Sequence, residues 1–575
     1  MRSDKRLASR IMPVLLGAMA LLIVACGSAP TQSGTANATQ KAPADQQVYR
    51  MTQAGISDLQ TLDPALTTDL PSATAINLLF TGLVQLDDQL KVQPQLAQSW
   101  QESADGLTWT FTLKPNLKFS DGTPLTSQDV VYSIDRALQP ATRSSTAASY
   151  LGLIKDSDKL LAGKVKTLIG SSLKAPDEKT VVITTNQKAS YFLYTLTYPT
   201  AYVVQKSMID KYGKNFTDHL QEGGGAGPFK MQQYTHGKEI VFVPNPNYYG
   251  PKPQLQKIIM PFYKDVNTAY KAYQAGQVDI APVPSTNIEQ AKRLSNEFHQ
   301  TPELAIFYYT MNYLVKPFDN IKIRQAFSLA IDRNRIAESI WKGTRIPTYH
   351  IVPQGMPGYN PDLTGLAGVK STAGDPTKAK QLLQEGLQEM GLSNVSQLPP
   401  IRLTYPVGSQ DASNEIAAVI QMWHTNLGIS VKADPVDFNK LLDQTTAATN
   451  NPNGLQFWAI GWIADYPDPQ DWLTLQFDKG SPNNNANFGQ NNTSNAIQQQ
   501  AVQQQLREAD GNPDQNARMQ SYMQAEQQLV NDVAWMSLSQ RTATRLLKPY
   551  VVGMKFNAQG IFPPDSWANV YIAAH

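Results

Sequence analysis

Strand-like and helix-like patterns alternate from residue 47 to the end of the chain, with no long linker or internal repeat between them. Three short segments rich in β-branched and aromatic residues predict strands: TWTFTL at Thr108–Leu113, KTVVITT at 179–185 and KEIVFVP at 238–244. Strands interleaved with helices throughout indicate an α/β fold. The roughly 530 residues after position 46 exceed the usual size of one hydrophobic core, so two or three domains are expected.

Helix signals lie between the predicted strands. Segment 320–341 carries apolar residues on one helical stripe, which predicts a helix there: Ile323, Phe327, Ala330, Ile331 and Ile336. Thr126 or Ser127 is suited to cap a helix that follows it. Pro376 and Gly391 are typical of the first turn and the C-terminal stop of another helix.

The N-terminus has the pattern of an export signal. Four basic residues among the first ten precede an uncharged apolar run over 11–25, which is too short for a convincing membrane span. The run ends in IVAC, residues 23–26, which resembles a bacterial lipobox. Residues 1–25 are therefore predicted to be a lipoprotein signal peptide, and Cys26 the lipidated residue that anchors the protein to the outer face of the bacterial cell membrane. The alternative is a plain signal peptide with a coincidental cysteine.

The segment after the signal predicts a flexible tether. Residues 26–46 are rich in Ser, Thr, Ala, Gln and Pro and lack apolar periodicity. Cys26 is the only cysteine, so no internal disulfide can form. Removal of residues 1–25 takes away four basic residues and one acidic residue, which changes the net charge from +2 to −1. A nearly neutral chain has no electrostatic reason to bind nucleic acid, so we expect no nucleic-acid partner. The export signal predicts an extracytoplasmic location.

The sequence patterns argue against an enzyme. HExxH, GxSxG, P-loop and GxGxxG motifs are absent, and the six histidines are far apart in the sequence. Asp465 and Asp468 could form the carboxylate pair of a glycosidase, but Pro467 and Pro469 impose extended or turn geometry there. Acidic pairs at this spacing are also common by chance. We therefore predict no catalytic residues, no metal site and no cofactor.

Several segments together resemble one known family. They are LAQSWQESADGLTWTFTLKPNLKFSDGTPLTSQDVVYSIDRAL at 96–138, LQTLDPALTTD at 59–69, GAGPFKMQQYTHGKEIVFVPNPNYYGPKP at 225–253, AYQAGQVDIA at 272–281, KPFDNIKIRQAFSLAIDRNRI at 316–336 and GWIADYPDP at 461–469. In this order they resemble the large solute-binding proteins of peptide-type ABC importers, the oligopeptide- and dipeptide-binding lipoproteins. The match covers nearly the whole predicted mature chain.

The resemblance implies a periplasmic-binding-protein-like fold of type II, in which two α/β lobes enclose the ligand by hinge closure and an additional domain sits on the first lobe. The implied segments are 47–83, 216–307 and 536–575 for lobe I, 84–215 for the extra domain and 308–535 for lobe II. The implied partners are a peptide ligand, a membrane permease and cytoplasmic ATPases. We expect the protein itself to be a monomer.

The resemblance also assigns ligand-binding residues. The carboxylate of Asp465 is implied to pair with the α-ammonium group of a peptide, and the backbone of Gly461, Trp462 and Ile463 to bind the peptide as an added strand. Trp462 is further expected to form a wall of the cleft, although it could instead be a residue of the core. The segment Thr68, Asp69 and Leu70 is implied to flank the other edge of the peptide. Phe438 stands where relatives often place a pocket aromatic, although core packing fits it equally well.

Several alternatives remain open from the sequence. Asp468 and Asp471 are interpreted as solvated turn residues, and the same interpretation remains possible for Asp465. Some relatives have an arginine for the peptide carboxylate where this chain has Ala459, so carboxylate recognition is unassigned. The wider family includes binders of nickel chelates, sugars, haem and opines. The second hypothesis is therefore an oligosaccharide-binding protein that uses its tryptophans as stacking platforms.

Overall fold

The computed structural model describes residues 40–407, 410–481 and 483–575, except for the side chains of Ala367, Phe438 and Asn439. The predicted signal peptide, Cys26 and the tether up to residue 39 lie outside the described residues. The described strands are β1 Val48–Arg50, β2 Gln53–Ala54, β3 Val84–Leu86, β4 Val92–Pro94, β5 Ala97–Glu102, β6 Thr108–Leu113, β7 Leu173–Asp177, β8 Thr180–Thr184, β9 Phe229–Thr235, β10 Glu239–Pro244, β11 Lys257–Tyr263, β12 Ile280–Pro282, β13 Phe298–Met311, β14 Arg345–Pro347, β15 Ile401–Pro406, β16 Val431–Val436, β17 Phe457–Ile463, β18 Met536–Leu547, β19 Val551–Val552 and β20 Tyr571–Ile572.

The described helices are distributed between these strands. They are α1 Leu70–Leu79, α2 Ser127–Leu138, α3 Ala147–Leu151, α4 Ser157–Leu161, α5 Phe192–Thr195, α6 Lys206–Tyr212, α7 Val266–Gln274, α8 Ile288–Ala291, α9 Ile321–Leu329, α10 Arg333–Ser339, α11 Pro376–Glu389, α12 Gln410–Leu427, α13 Phe438–Ala448, α14 Thr474–Phe477, α15 Asn495–Asp510 and α16 Gln515–Asn531. The interleaving of strands and helices agrees with the predicted α/β class.

Three sheets organise the molecule. The first has the order β1-β11-β10-β9, with β2 also paired to β11. The second has seven strands in the order β12-β18-β13-β17-β15-β16, with β14 paired to β18. The third is an antiparallel sheet of four strands, β5-β6-β8-β7, and it lies wholly within the predicted extra domain. The chain enters the first sheet, forms the third, returns to the first and then builds the second.

Two long antiparallel strands, β13 and β18, lie in the part of the second sheet that is linked to the first. In β13 and β18 the pairing runs from Phe298 opposite Leu546 to Tyr309 opposite Met536. At one end β18 pairs with β12, whose first residue Ile280 bridges Met51 beside β1. At the other end β13 pairs with β17. The lobe boundaries remain a prediction. Strand β18, which the resemblance assigns to lobe I, lies in the seven-stranded sheet together with β14 to β17, which fall in the predicted lobe II.

Local sequence signals account for several element boundaries. Thr126 is the N-cap of α2 in a capping box with Asp129. Helix α11 has Asp375 as its N-cap and Pro376 in its first turn, and Gly391 beyond its end has a positive φ. Segment 320–341 differs from the expected helix, because it forms α9 and α10. The Asp332 side chain accepts a hydrogen bond from the backbone N–H of Arg335 and starts a second helix there.

The folded part begins before the predicted end of the tether. Lys41 bridges Ala573, and the Ala42 side chain is buried. The buried Gln47 side chain donates hydrogen bonds to the carbonyls of Ala42 and Ile572, at 2.8 and 2.9 Å. These contacts attach Lys41, Ala42 and Gln47 to the C-terminal segment around β20, so the last residues of the segment predicted as a tether lie against the fold.

Candidate ligand-binding cleft

A cavity of about 390 Å³ lies where the sheets meet. Its wall is formed by residues around the start of α1, by Tyr150 in α3, by Tyr198 beyond α5, by the strands β13 and β18 and by the end of β17 with the residues that follow it. The lining residues are Thr68, Asp69, Leu70, Ala73, Thr146, Ser149, Tyr150, Tyr198, Glu303, Leu304, Ala305, Ile463, Ala464, Asp465, Arg541, Ala558, Gln559 and Ile561. The structure therefore brings the predicted residues 68–70 together with Ile463 and Asp465, although almost 400 positions separate them in the sequence.

An irregularity in β13 shapes the floor of this cavity. The pairing with β18 shifts between Pro302 and Ile306, so residues 303–305 bulge out of the regular ladder. The Glu303 carboxylate pairs with the guanidinium of Arg541. The backbone N–H of Ala464 donates a hydrogen bond of 2.9 Å to the Leu304 carbonyl. The bulge thus holds the end of β17, and with it Asp465, against the cavity.

Asp465 carries an unpaired carboxylate in this cavity. Its side chain is half-buried, and burial raises its pKa to about 6. Among the described residues its carboxylate has neither a hydrogen bond nor an ion pair. The cavity wall contains three acidic residues, Asp69, Glu303 and Asp465, against one basic residue, Arg541. The formal charge of the wall is therefore −2 when all four groups are ionised, which favours a cationic group of a ligand.

Asp468 and Asp471 are not solvated turn residues, so that prediction was wrong. Both are 0% exposed. Asp468 pairs with the equally buried Arg518 of α16. Asp471 Oδ2 accepts hydrogen bonds from Trp462 Nε1 at 3.0 Å and from the Asp465 N–H at 3.3 Å. Burial, and after it the charge of Asp465, raises the pKa of Asp471 well above its usual value. Asp471 therefore supports the loop that presents Asp465.

Trp462 and Gly461 have different surroundings from Asp465. The half-buried Trp462 lines neither this cavity nor the neighbouring one, because its indole packs against the core and bonds Asp471. Gly461 lines the neighbouring cavity of about 410 Å³. A Cβ atom at Gly461 would lie 2.9 Å from the ring of Phe307. Glycine at this position therefore leaves room for the Phe307 ring, which packs directly over the backbone of β17. Phe438 begins α13, and its side chain lies outside the described part of the structure.

One edge of β17 is open toward the cleft. Its other edge pairs with β13, from Phe457 opposite Met311 to Ile463 opposite Ala305. On the cleft side β15 pairs with β17 only at Phe457 and Trp458. In the described part of the chain no further strand pairs with this edge from 459 to 463. An open edge offers backbone donors and acceptors to an extended ligand.

Sequence reasoning did not identify several residues of the cavity wall. Tyr150 and Tyr198 form a stacked pair with ring centroids 3.8 Å apart. Glu303 and Arg541 form the ion pair beside the bulge. The members of each pair are far apart in the sequence, so no local motif marks them. Only the resemblance linked residues 68–70 to Asp465 before the structure did so.

The described residues hold neither a metal-binding cluster nor a membrane-spanning helix. They contain no group of three or more His, Cys, Asp and Glu side chains arranged to hold a metal ion. Nor does any helix in the described ranges have the length and apolar character needed to cross a membrane.

Comparisons with known proteins agree on one family. The model of the bacterial extracellular solute-binding proteins, family 5 (middle region), matches residues 91–484. The chain is 31% identical to the oligopeptide-binding protein OppA of Bacillus subtilis over 434 residues, which are 74% of this chain and 77% of that protein. It is 29% identical to the periplasmic oligopeptide-binding protein OppA of Salmonella typhimurium over 532 residues, with 90% and 92% coverage.

A solved structure supports the same assignment. The unliganded open form of MppA, a periplasmic murein tripeptide binding protein, superposes with a TM-score of 0.78 at 26% identity. The alignment covers 93% of this chain and 99% of that chain. This similarity confirms the predicted two-lobe fold of type II.

Proposed function

The chain belongs to the bacterial extracellular solute-binding proteins of family 5, as its motifs predict, and from this membership we propose that it captures peptides in the cleft beside β17. We further propose that a lipid at Cys26 holds it on the outer face of the cell membrane and that it delivers peptides to the permease and ATPases of an ABC importer. In this role we propose that it acts without catalysis and as a monomer.

The unpaired carboxylate of Asp465 is the observation that carries this proposal. A half-buried carboxylate without a cation is unfavourable, so a ligand that brings an ammonium group gains an ion pair there. The negative wall of the cavity favours the same group. Every unmodified peptide has an α-ammonium, whereas a neutral oligosaccharide has none.

The apolar rim and the open strand edge fit the rest of a peptide. Leu70 and Ile463 line the cavity with 45% and 57% of their surface exposed. Large apolar side chains at that exposure are suited to contact with ligand side chains. The open edge of β17 supplies hydrogen bonds to a peptide backbone without selecting side chains.

The oligosaccharide hypothesis has weaker support. A sugar-binding cleft would use tryptophans as stacking platforms, but Trp462 packs against the core and lines neither cavity. Calorimetric titration with unmodified short peptides and with neutral oligosaccharides tests the two classes directly. We expect saturable binding of peptides only. Binding of oligosaccharides without binding of any peptide would refute the proposal.

The affinity for a free-amine peptide should depend on pH through Asp465. Burial raises the pKa of this carboxyl to about 6 in the free protein, and an ammonium pairs only with its ionised form. Affinity should therefore be greatest near pH 7, between the pKa of Asp465 and the α-amino pKa of about 7.7–8.0, and should fall by up to about tenfold per pH unit below 6. Calorimetry between about pH 5 and pH 8 measures this profile. The Asp465→Asn variant is the control and should lose this dependence; an unchanged profile in that variant would contradict the assignment.

Lipid anchoring has its own test. Cys26→Ala removes the thiol that the lipobox-like run presents for lipidation, so the variant should leave the membrane fraction. Fractionation of expressing cells, with partition into detergent as a second readout, measures the change. Substitution of the neighbouring Ser28 is the control and should leave anchoring intact. A Cys26→Ala protein that partitions with membrane lipids as the wild type does would show that the anchor is elsewhere.

A further inference from the structure

The second cavity continues the first along the same strand pair. Its wall includes Phe307 and Gly461, which are partners in the β13–β17 ladder, two positions from the pair Ala305 and Ile463 of the first cavity. At the rim Val407 is 54% exposed. A ligand that binds Asp465 and follows the open edge of β17 therefore enters this second cavity.

A sandwiched guanidinium lies in the wall of the second cavity. The guanidinium carbon of Arg345 is 3.7 Å from the ring centroid of Phe307 and 3.6 Å from that of Trp341. These rings cover the faces of the guanidinium, and cation–π contacts leave its in-plane N–H donors free. Only one hydrogen bond involves them in the described structure, from Nη1 to Ser539 Oγ at 3.3 Å. Ala459 lines the same cavity, and its small side chain leaves the cavity open for a ligand group.

The nearby acid does not neutralise Arg345 by contact. Glu415 is buried, and its two oxygens accept hydrogen bonds from Trp341 Nε1 at 2.6 Å and from Tyr309 OH at 3.2 Å. Burial raises the pKa of Glu415, while its carboxylate fixes the indole on which Arg345 stacks. Within the described residues no carboxylate lies within ion-pair distance of Arg345. The guanidinium is thus held rigidly and has no carboxylate in ion-pair contact, although the charge of Glu415 acts on it through space.

We propose that Arg345 binds a carboxylate of the peptide, at a fixed distance from the ammonium at Asp465. This inference rests on the proposed function and adds a length or sequence preference to it. Gly461 in the wall of the second cavity and Ile463 in that of the first are two positions apart in β17, or about 7 Å at roughly 3.3 Å per residue, and Asp465 follows beyond the end of the strand. A short extended peptide can therefore place its two charged ends in the two cavities. The carboxylate is therefore the C-terminus of a short peptide or an acidic side chain of a longer one.

Two matched pairs of probes distinguish these sources. Tetra-alanine is compared with its C-terminal amide, and Ala-Ala-Ala-Glu-Ala-Ala with its glutamine analogue, on the wild type and on Arg345→Gln. For the pair that carries the recognised carboxylate, neutralisation should weaken wild-type binding about ten- to hundredfold, as expected for a charge-assisted hydrogen bond. The same change should cost little in Arg345→Gln. Arg402→Gln, which loses an exposed arginine on the adjacent β15, should behave as the wild type.

The outcomes separate this inference from the function itself. An Arg345-dependent loss on amidation identifies the C-terminus, and one on the glutamine exchange identifies an acidic side chain. Equal binding of acid and neutral probes to the wild type overturns the carboxylate site without any variant, as does a loss that persists undiminished in Arg345→Gln. Retained sensitivity to N-terminal acetylation in Arg345→Gln shows that the variant is folded. If no peptide binds the wild type, the proposed function and this inference both fail.

Discussion

Replacing Asp465 by alanine should weaken the binding of a free-amine peptide by about 30-fold to several thousand-fold. Loss of one member of a largely desolvated ion pair typically costs about 2–5 kcal/mol, and about 1.4 kcal/mol corresponds to a tenfold change in affinity. The carboxylate lies in a negatively charged cavity, and the described residues provide it with no cation. The peptide's ammonium would therefore be its principal partner. Isothermal titration calorimetry measures the loss.

A thermodynamic cycle with acetylated peptide makes this prediction specific. N-terminal acetylation should weaken wild-type binding by a similar factor and should add little to the loss in Asp465→Ala, because both changes remove one interaction. Asp210→Asn is the control, since it removes an exposed carboxylate that does not line the cavity and should leave both affinities unchanged. Fully additive losses would show that Asp465 does not bind the amine.

Asp471 is unsuitable as a control in this experiment. A solvated turn residue, as the sequence was interpreted at this position, would tolerate replacement by alanine with little effect on binding. The buried carboxyl accepts hydrogen bonds from the Trp462 indole and from the backbone N–H of Asp465. We now expect Asp471→Ala to weaken peptide binding as well, by displacing the loop that carries Asp465.

Local patterns predicted the elements whose determinants are close in sequence. The strand Thr108–Leu113 follows from alternating β-forming residues, and the start of α2 at Ser127 follows from the capping box of Thr126. The break between α9 and α10 was missed although its signal is also local, because one apolar stripe runs through both helices. Asp332 competes with that stripe as an N-cap.

The surroundings of the aspartates could not be predicted in the same way. An Asp- and Pro-rich turn is usually exposed, and nothing between 461 and 472 shows that α16 covers it. The partner of Asp468 is Arg518, fifty positions later in the chain. Of the two aromatic rings that hold Arg345, Trp341 lies four residues before it, but Phe307 comes from the separate strand β13. Such contacts depend on tertiary packing, and a single sequence contains no local pattern for them.

The ion pair of Arg518 and Asp468 should make the largest single contribution to stability that we can test. Arg518→Ala leaves the carboxylate of Asp468 buried without its cation, and breaking a buried pair in this way typically costs about 3–5 kcal/mol. The free energy of unfolding should fall by that amount in urea titrations followed by circular dichroism. The loop that carries Asp465 should loosen as well, since Asp468 also accepts a hydrogen bond from the Gln470 N–H at 3.0 Å.

Two comparisons separate the buried charge from lost packing. Lys206→Ala removes the cation from the exposed pair with Asp210 and should change the free energy of unfolding by less than about 1 kcal/mol. The double variant Arg518→Met with Asp468→Asn retains similar side-chain volume without either charge, and it should recover much of the stability lost in Arg518→Ala. If the double variant is as unstable as Arg518→Ala, the loss comes from packing around α16. If Arg518→Ala lowers the free energy of unfolding as little as Lys206→Ala does, water reaches Asp468 freely and the buried pair contributes no more to stability than an exposed one.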